Sequence, residues 1–262
     1  GIYTQHLPLP LLNYQNNTGQ RLNLNLDLLR AQHFILSWKQ RIRTGLRLQV
    51  EPYVQLLHNV PVLPDETDNL YWFLNNKVGF RADALVSEGK GINYGVDISL
   101  EQFFAKQFFM LLTASYFENQ YAPLNGNYFS SRYSTNWVSS ATFGKEWVLK
   151  NNNTLQIGAR MMLNGGFRYT PADPSASAVA NGYVADNNRP WTQQVPAYFK
   201  IDSRIAYRIN RPKSTMLFSL DIQNLTNRDN VRNIRYNRTT NEVDFRNHPS
   251  GLLPLLGVEW EW

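Results

Sequence analysis

Segments of about ten residues, with apolar and polar positions alternating one for one, recur along most of this chain, and that pattern confines it to β-structure. In Tyr198–Arg208, Phe199, Ile201, Ile205 and Tyr207 point one way, and Lys200, Asp202, Arg204 and Arg208 the other. Thr215–Gln223 sets Met216, Phe218, Leu220 and Ile222 against Ser219, Asp221 and Gln223. Gly91–Glu101 sets Ile92, Tyr94, Val96, Ile98 and Leu100 against Asn93, Asp97, Ser99 and Glu101. Leu46–Leu56 and Thr154–Asn164 repeat the arrangement, with Arg47, Gln49, Glu51 and Gln55, then Gln156, Arg160 and Asn164, on their polar sides. Side chains of a strand alternate between its two faces, so each segment owns one apolar face nearly free of charge. Strands of globular proteins average about five or six residues, whereas about ten tilted residues cross a bilayer. Length and pattern together predict an all-β chain of antiparallel transmembrane strands. Pro52 sits mid-pattern on an apolar face, removes a ladder donor and predicts a bulge there.

The connections carry an independent signal. Strands are predicted at Leu28–Arg41, Leu46–Val60, Gly91–Phe104, Gln107–Tyr121, Asn136–Leu149, Thr154–Arg168, Tyr198–Arg208, Thr215–Asn227 and Leu252–Trp262. The joins alternate between short (Ile42–Gly45, Ala105-Lys106, Lys150–Asn153, Ile209–Ser214) and long (Pro61–Lys90, Ala122–Thr135, Tyr169–Ala197, Arg228–Gly251). Bacterial β-barrels have tight periplasmic turns and long extracellular loops. Counting back from a periplasmic C-terminus puts the start of Leu28–Arg41 at the outer surface. An odd number of strands does not close a barrel with both termini periplasmic, and Gly1–His6 reads as the tail of one more upward strand. The expectation is therefore the C-terminal part of a larger barrel, residues 1–262, with earlier strands upstream. The rival is a complete ten-stranded barrel beginning with Gly1–Leu12, a strand that Pro8 and Pro10 would spoil.

Composition agrees. No apolar run approaches the 18 or so residues of a membrane helix; Phe108–Leu112 is the longest candidate. Mean hydropathy is −0.42, which suits strands that show lipid only alternate residues. Aromatics form 13% of the chain, and barrels concentrate them at the water–lipid boundary. The absence of cysteine excludes disulfides and thiolate metal sites. The first residues, Gly1-Ile2-Tyr3-Thr4-Gln5, hold no export signal, which an exported barrel would have lost or carry upstream. The net charge of +6 is spread without a basic cluster. It reads as solvated surface and polar lumen rather than a nucleic-acid face.

The last strand, Leu252-Leu253-Pro254-Leu255-Leu256-Gly257-Val258-Glu259-Trp260-Glu261-Trp262, ends on an aromatic with apolar residues at alternate preceding positions. It resembles the signal recognised by barrel-assembly machinery, carried here by Val258, Trp260 and Trp262. Ser219-Leu220-Asp221-Ile222-Gln223-Asn224-Leu225-Thr226-Asn227-Arg228 is similar to the penultimate-strand motif of TonB-dependent receptors. Gly89–Asp97, Gly144-Lys145-Glu146-Trp147 and Gly165–Pro171 resemble stretches of those receptors from Bacteroidota. The resemblance implies the last nine strands of a 22-stranded outer-membrane barrel, with the N-terminal plug domain absent from these residues. It implies uptake of a siderophore, glycan, cobalamin or peptide, energised by the TonB complex through that plug. Further implied partners are outer-membrane lipid, lipopolysaccharide and a surface lipoprotein.

Among candidate sites, Gly89–Gly95 lacks the strand–loop–helix setting and Lys-Ser/Thr pair of a phosphate loop; its glycines read as easing the passage from loop to strand. The histidines His6, His33, His58 and His248 are too scattered for a metal site. No Gly-x-Ser-x-Gly elbow occurs, so neither catalytic residue nor cofactor is expected. Arg47, Glu51, Asp97, Glu101, Arg160, Lys200, Asp202, Arg204 and Asp221 are expected to line the lumen, paired in part with one another. Four Asn-x-Thr sequons, Asn16–Thr18 among them, mean little in a bacterial barrel. The loop aromatics Tyr71, Trp72, Phe73, Tyr183 and Trp191 are the candidate substrate contacts, since aromatic faces give contact area at low entropic cost. Packing within the loops or a place in the membrane girdle is the competing role. Arg228, Arg232, Arg235 and Arg238 could touch lipopolysaccharide phosphates, against the plainer reading of a solvated loop. Two other classes stay open: a small complete barrel acting as enzyme or adhesin, and a soluble carbohydrate-binding β-sandwich.

Overall fold

The computed structural model describes residues 1–16, 18–75, 83–240, 242–247 and 251–262. In chain order its strands are β1 (Ile2–Gln5), β2 (Leu29–Ile35), β3 (Trp38–Arg43), β4 (Leu46–Val62), β5 (Val86–Ala105), β6 (Phe108–Ala122), β7 (Phe129–Ser130), β8 (Trp137–Val148), β9 (Thr154–Asn164), β10 (Arg168–Tyr169), β11 (Gln193–Gln194), β12 (Tyr198–Arg211), β13 (Ser214–Gln223), β14 (Val231–Asn237), β15 (Glu242–Asn247) and β16 (Leu253–Glu261). Two short helices, α1 (Leu9–Leu12) and α2 (Pro174–Ala180), lie in connections. One sheet takes twelve of the strands in the order β1-β2-β4-β5-β6-β8-β9-β12-β13-β16, with β3 also on β4 and β7 also on β6. Its pairings are antiparallel throughout. A single continuous sheet is not a two-sheet sandwich, and that alternative falls.

Residues opposite each other in a ladder share a face, so register transmits the alternation from strand to strand. Leu48, Leu100, Leu112, Ala141, Met161 and Ile201 stand in one row. Val50, Ile98, Ala114, Ser139, Leu163 and Phe199 form another. On the opposite face, Arg47, Glu101, Leu111, Thr142, Arg160 and Asp202 form a row, and Gln49, Ser99, Thr113, Ser140, Met162 and Lys200 the next. From β4 to β12 the sheet therefore has one apolar and one mostly polar face. The long connections, 6–28, 63–85, 123–136, 165–197 and 224–252, all leave from one end; 44–45, 106–107, 149–153 and 212–213 turn tightly at the other.

Several boundaries differ from expectation, each for a local reason. No bulge forms at Pro52, which stays in register opposite Val96. The neighbouring strand yields instead. β2 and β3 keep a single register along β4, but Leu36 and Ser37, opposite Pro52, leave the strand. The Leu36 N–H still donates to the Pro52 carbonyl at 3.1 Å. That edge of Pro52 has no N–H to return, so the predicted Leu28–Arg41 strand is interrupted there. β5 begins at Val86 rather than Gly91, which places Gly89 and Gly91 inside a strand and not at its entrance. The predicted Thr154–Arg168 strand stops at Asn164. Beyond it, a side chain at Gly165 or Gly166 would overlap the carbonyl oxygen of Thr135 or Val195. The Asn224–Asn227 stretch is a turn rather than strand. Both asparagines take the left-handed conformation (φ 52° and 50°), and the Asn227 N–H donates to the Asn224 carbonyl at 2.8 Å. At the start, only Ile2–Gln5 pairs with β2; residues 9–12 form α1, so the Gly1–Leu12 strand of the rival reading does not form.

The two faces make a testable pair of neighbours. In the whole protein, Ile98→Arg on the apolar face should cost about 2–4 kcal/mol, whereas Ser99→Arg should stay within about 0.5 kcal/mol. Urea unfolding in lipid vesicles measures both; equal losses would mean that the faces do not meet different media.

Candidate functional site

The polar face and the loops folded over its upper end form the candidate site. All nine residues expected in the lumen project from the polar face, with Glu51 opposite Asp97, Arg160 opposite Asp202 and Arg204 opposite Asp221. Arg47 Nη2 lies 2.7 Å from Glu101 Oε2, Lys200 Nζ 3.0 Å from Asp202 Oδ1, and Arg204 Nη1 3.2 Å from Asp221 Oδ2. Asp202 also accepts the Asn224 N–H at 2.8 Å, and Asp97 accepts the Ser115 hydroxyl at 2.6 Å. Exposed or half-exposed pairs of this kind add little stability. Their effect is to keep the face polar and near neutral while leaving groups free to exchange partners. An open pocket of about 460 Å³ runs along Arg160, Asp202, Arg204 and Asp221, with Phe109 among its walls.

Nearer the loops the charges give way to amides. His33, Gln55, Asn93 and Asn119 stand opposite one another across four strands. Gln55 Nε2 lies 2.6 Å from His33 Nε2, and Asn93 Nδ2 donates to Gln55 Oε1 at 2.6 Å. The Tyr3 ring sits 4.8 Å from the His33 ring, and a pocket of about 430 Å³ opens beside this row beneath Leu74. Sequence reading did not single these residues out. The available signal was uncharged amide and imidazole groups at polar positions whose counterparts further along the strands are ionised.

Above the amides, residues 63–75 and 83–85 and the connections 123–136 and 165–197 pack over the polar face. Trp72, 4% exposed, lies over Gly89 and Gly91, where a Cβ would stand 3.2 and 2.9 Å from its ring. Its ring centre is 5.5 Å from that of Tyr121, which is fully buried and donates its hydroxyl to the Asn69 carbonyl. Asn69 is the junction of the three connections. Its N–H donates to Asn187 Oδ1 at 2.9 Å, its Nδ2 to the Asn187 carbonyl at 3.0 Å, and its Oδ1 accepts Asn125 Nδ2 at 2.6 Å. Arg168 adds bonds of 2.8 Å from Nε to the Ser134 carbonyl and from Nη2 to Asn136 Oδ1. In the same connection as Asn187, the Arg189 guanidinium holds the Asp186 carboxyl below its ordinary range, at 2.6 Å. A second cluster joins Leu7 and Leu11 of the first connection to Tyr71 and Leu85.

The five expected contact aromatics thus have different surroundings. Tyr71 and Trp72 are buried, and Phe73 packs against both clusters. Trp191 packs on the Trp72 cluster, with the Arg132 guanidinium 5.5 Å from its ring centre. Tyr183 alone of the five is exposed, at 43%. Its hydroxyl donates to the Thr170 carbonyl at 2.7 Å, and partial burial pushes the phenol up to about 12. Tyr236 of β14 lies 6.0 Å from it, ring to ring. Arg228 sits 6.0 Å from the Phe199 ring and donates to the Ala197 carbonyl, while Arg232, Arg235 and Arg238 are exposed on the β14–β15 hairpin. Val258 and Trp260 continue the apolar face opposite Phe218 and Met216, and Trp262 is 90% exposed at the chain end. His248 and residues 76–82 of the 63–85 connection lie outside the described residues.

No family model matches the sequence, and no curated protein is similar to it in sequence. Solved structures are similar in fold. The Pseudomonas aeruginosa ferripyoverdine receptor FpvA, bound to a heterologous pyoverdine, superposes with a TM-score of 0.60 at 11% identity over 99% of this chain and 29% of its own. Fiu, the ferric-catecholate import receptor of Escherichia coli K12, gives 0.59 at 15% identity over 99% of this chain and 32% of its own. Another structure of the ferripyoverdine receptor of the P. aeruginosa outer membrane gives 0.58 at 12% identity, over 94% and 28%. The chain thus spans less than a third of each receptor. What these likenesses show is the fold: an antiparallel arc of the kind found in outer-membrane receptor barrels.

If the three connections act as one cap, loosening Trp72 should loosen them all. Trp72→Ala removes a buried aromatic worth about 3–5 kcal/mol locally. Limited proteolysis of the whole protein should then cleave 63–85, 123–136 and 165–197 together, at least tenfold faster. Faster cleavage of 63–85 alone would show three independent loops.

Proposed function

We propose that this chain forms part of the wall and outer loops of a TonB-dependent outer-membrane receptor, a transport component rather than an enzyme. The observation that carries the reading is the two-faced sheet: an apolar face broad enough to meet lipid, a polar face turned the other way, and long connections packed over the polar side. In a barrel, that geometry makes the polar face a lumen and the connections an extracellular cap. The charged rows from Arg47 to Asp221 then line the lower path, and the His33–Asn119 amide row lies directly beneath the cap. Val258, Trp260 and Trp262 serve as the assembly signal read by the barrel-assembly machinery. The plug that would contact the TonB complex belongs to chain outside these residues.

The cargo is a nutrient such as a siderophore, glycan or peptide. Similarity of fold to two receptors named for iron-chelate import supports the siderophore class, but it is a likeness of wall and not of loops. Among the candidate contacts, Tyr183 offers its ring in the present arrangement and Phe73 and Trp191 are half-buried, while Tyr71 and Trp72 would reach a ligand only after the cap rearranges. A Bacteroidota origin rests on the glycine-rich stretches alone. Uptake measurements test the function directly. Cells lacking the whole protein should lose energy-dependent accumulation of one labelled class among ferric siderophores, oligosaccharides and peptides, and complementation should restore it. Unchanged uptake of all three, or uptake that persists after the membrane is de-energised, would refute the proposal.

A further inference from the structure

The amide row beneath the cap has a direction. Asn93 Nδ2 donates to Gln55 Oε1, so the Gln55 nitrogen supplies the 2.6 Å bond to His33 Nε2. An imidazole nitrogen that accepts carries no proton, which leaves the His33 proton on Nδ1. The Gln55 amide is thus spent on its neighbours, and the two ends of the row remain. Among the described residues, neither His33 Nδ1 nor Asn93 Oδ1 meets a hydrogen-bond partner. One end donates and the other accepts, two strand spacings or about 10 Å apart.

The surroundings narrow what fits between them. The pocket beside the row, about 430 Å³, is of the size that holds a small ligand. The Tyr3 ring, 59% exposed, stands 4.8 Å from His33, and Leu29, Leu57 and Leu74 add apolar walls. No carboxylate lines the pocket, and its one permanent cation is Arg30, which borders it with His58. Arg30 and His58 are a register pair one step from Ala31 and Leu57. Strand alternation sends their side chains to the face opposite His33 and Gln55. A carboxylate matches only the donor end of the row, and an ammonium only the acceptor end. A hydroxyl donates and accepts at once, so a ligand carrying several hydroxyls satisfies both ends without a counter-charge. A peptide has both kinds of group as well, but it brings ionised ends that the row does not pair. An aromatic ring adds contact area for the C–H face of a sugar at low entropic cost.

We infer that His33, Gln55 and Asn93 form a subsite for a neutral polyhydroxylated ligand, one sugar unit of an oligosaccharide, with Tyr3 against its C–H face. This rests on the receptor reading above and favours a glycan over the iron chelates for which the receptors of similar wall are named. The test is retention of the whole protein in detergent on an array of neutral hexasaccharides (of glucose, mannose, galactose and xylose), the galacturonic acid hexamer and hexapeptides. The proteins compared are the wild type, Gln55→Met, Asn93→Leu and Arg30→Gln, each checked for folding by heat-modifiable gel migration. The wild type should retain at least one neutral hexasaccharide. Gln55→Met, which keeps the side chain's shape, and Asn93→Leu should each weaken it about tenfold, and Arg30→Gln less than about twofold. A wild type that retains no neutral hexasaccharide overturns the subsite, as does undiminished retention by both row variants. Tighter binding of the galacturonic acid hexamer, lost in Arg30→Gln, overturns the neutral assignment in favour of an anion. Retention on hexapeptides alone overturns it in favour of a peptide. Uptake by cells separates this failure from that of the receptor reading. Energised accumulation of a siderophore or peptide, and not of an oligosaccharide, refutes the subsite alone; the absence of any energised uptake refutes the receptor reading and the subsite with it.

Discussion

A polypeptide in hydrocarbon has no water with which to satisfy its N–H and C=O groups, so each must find a partner within the protein. The long antiparallel ladders of this chain answer that requirement, and the remaining features follow from it. Ladder pairing sends successive side chains to opposite faces, so a strand that meets lipid on one side must alternate strictly. The cost of breaking a ladder is visible at Pro52, where a missing donor interrupts the facing strand but leaves register intact on both sides of the gap. Where the chain must leave the sheet, it does so at positions tolerant of unusual backbone, such as Asn224 and Asn227.

Two kinds of cohesion divide the molecule. The wall has almost no interior: apart from a few residues such as Ala141 and Ala206, its apolar side chains lie on an open surface suited to lipid. The cap is built as globular proteins are, around buried Val60, Val62, Trp72 and Tyr121, with Asn69 supplying the polar junction between connections. Gly89 and Gly91 join the two regimes, since a side chain at either position would crowd the Trp72 ring.

The wall was legible in the sequence because its signal is repeated. Ten-residue alternation fixed the faces of Leu46–Leu56, Gly91–Glu101, Thr154–Asn164 and Tyr198–Arg208, and register then carried the nine charged residues to a common face. Strand ends were less legible, because they depend on tertiary crowding, as at Gly165 and Gly166, or on turn chemistry that a strand-like motif conceals, as in Asn224–Asn227. The cap was least legible. Tyr71, Trp72 and Phe73 form one aromatic run, and nothing local distinguishes rings held in a core from rings held out to a ligand. The bonds that decide it join residues more than fifty positions apart, such as Asn69 to Asn187 and Tyr121 to Asn69.

The central claim is that one face of this sheet meets lipid and the other water. Spin labels placed singly at residues 91–101 of the whole protein in lipid vesicles, probed with oxygen and with a water-soluble nickel complex, read that claim position by position. The account predicts a period of two, with Ile92, Tyr94, Val96, Ile98 and Leu100 accessible to oxygen and the intervening positions accessible to nickel. Uniform nickel access along the strand, or no alternation at all, would contradict it.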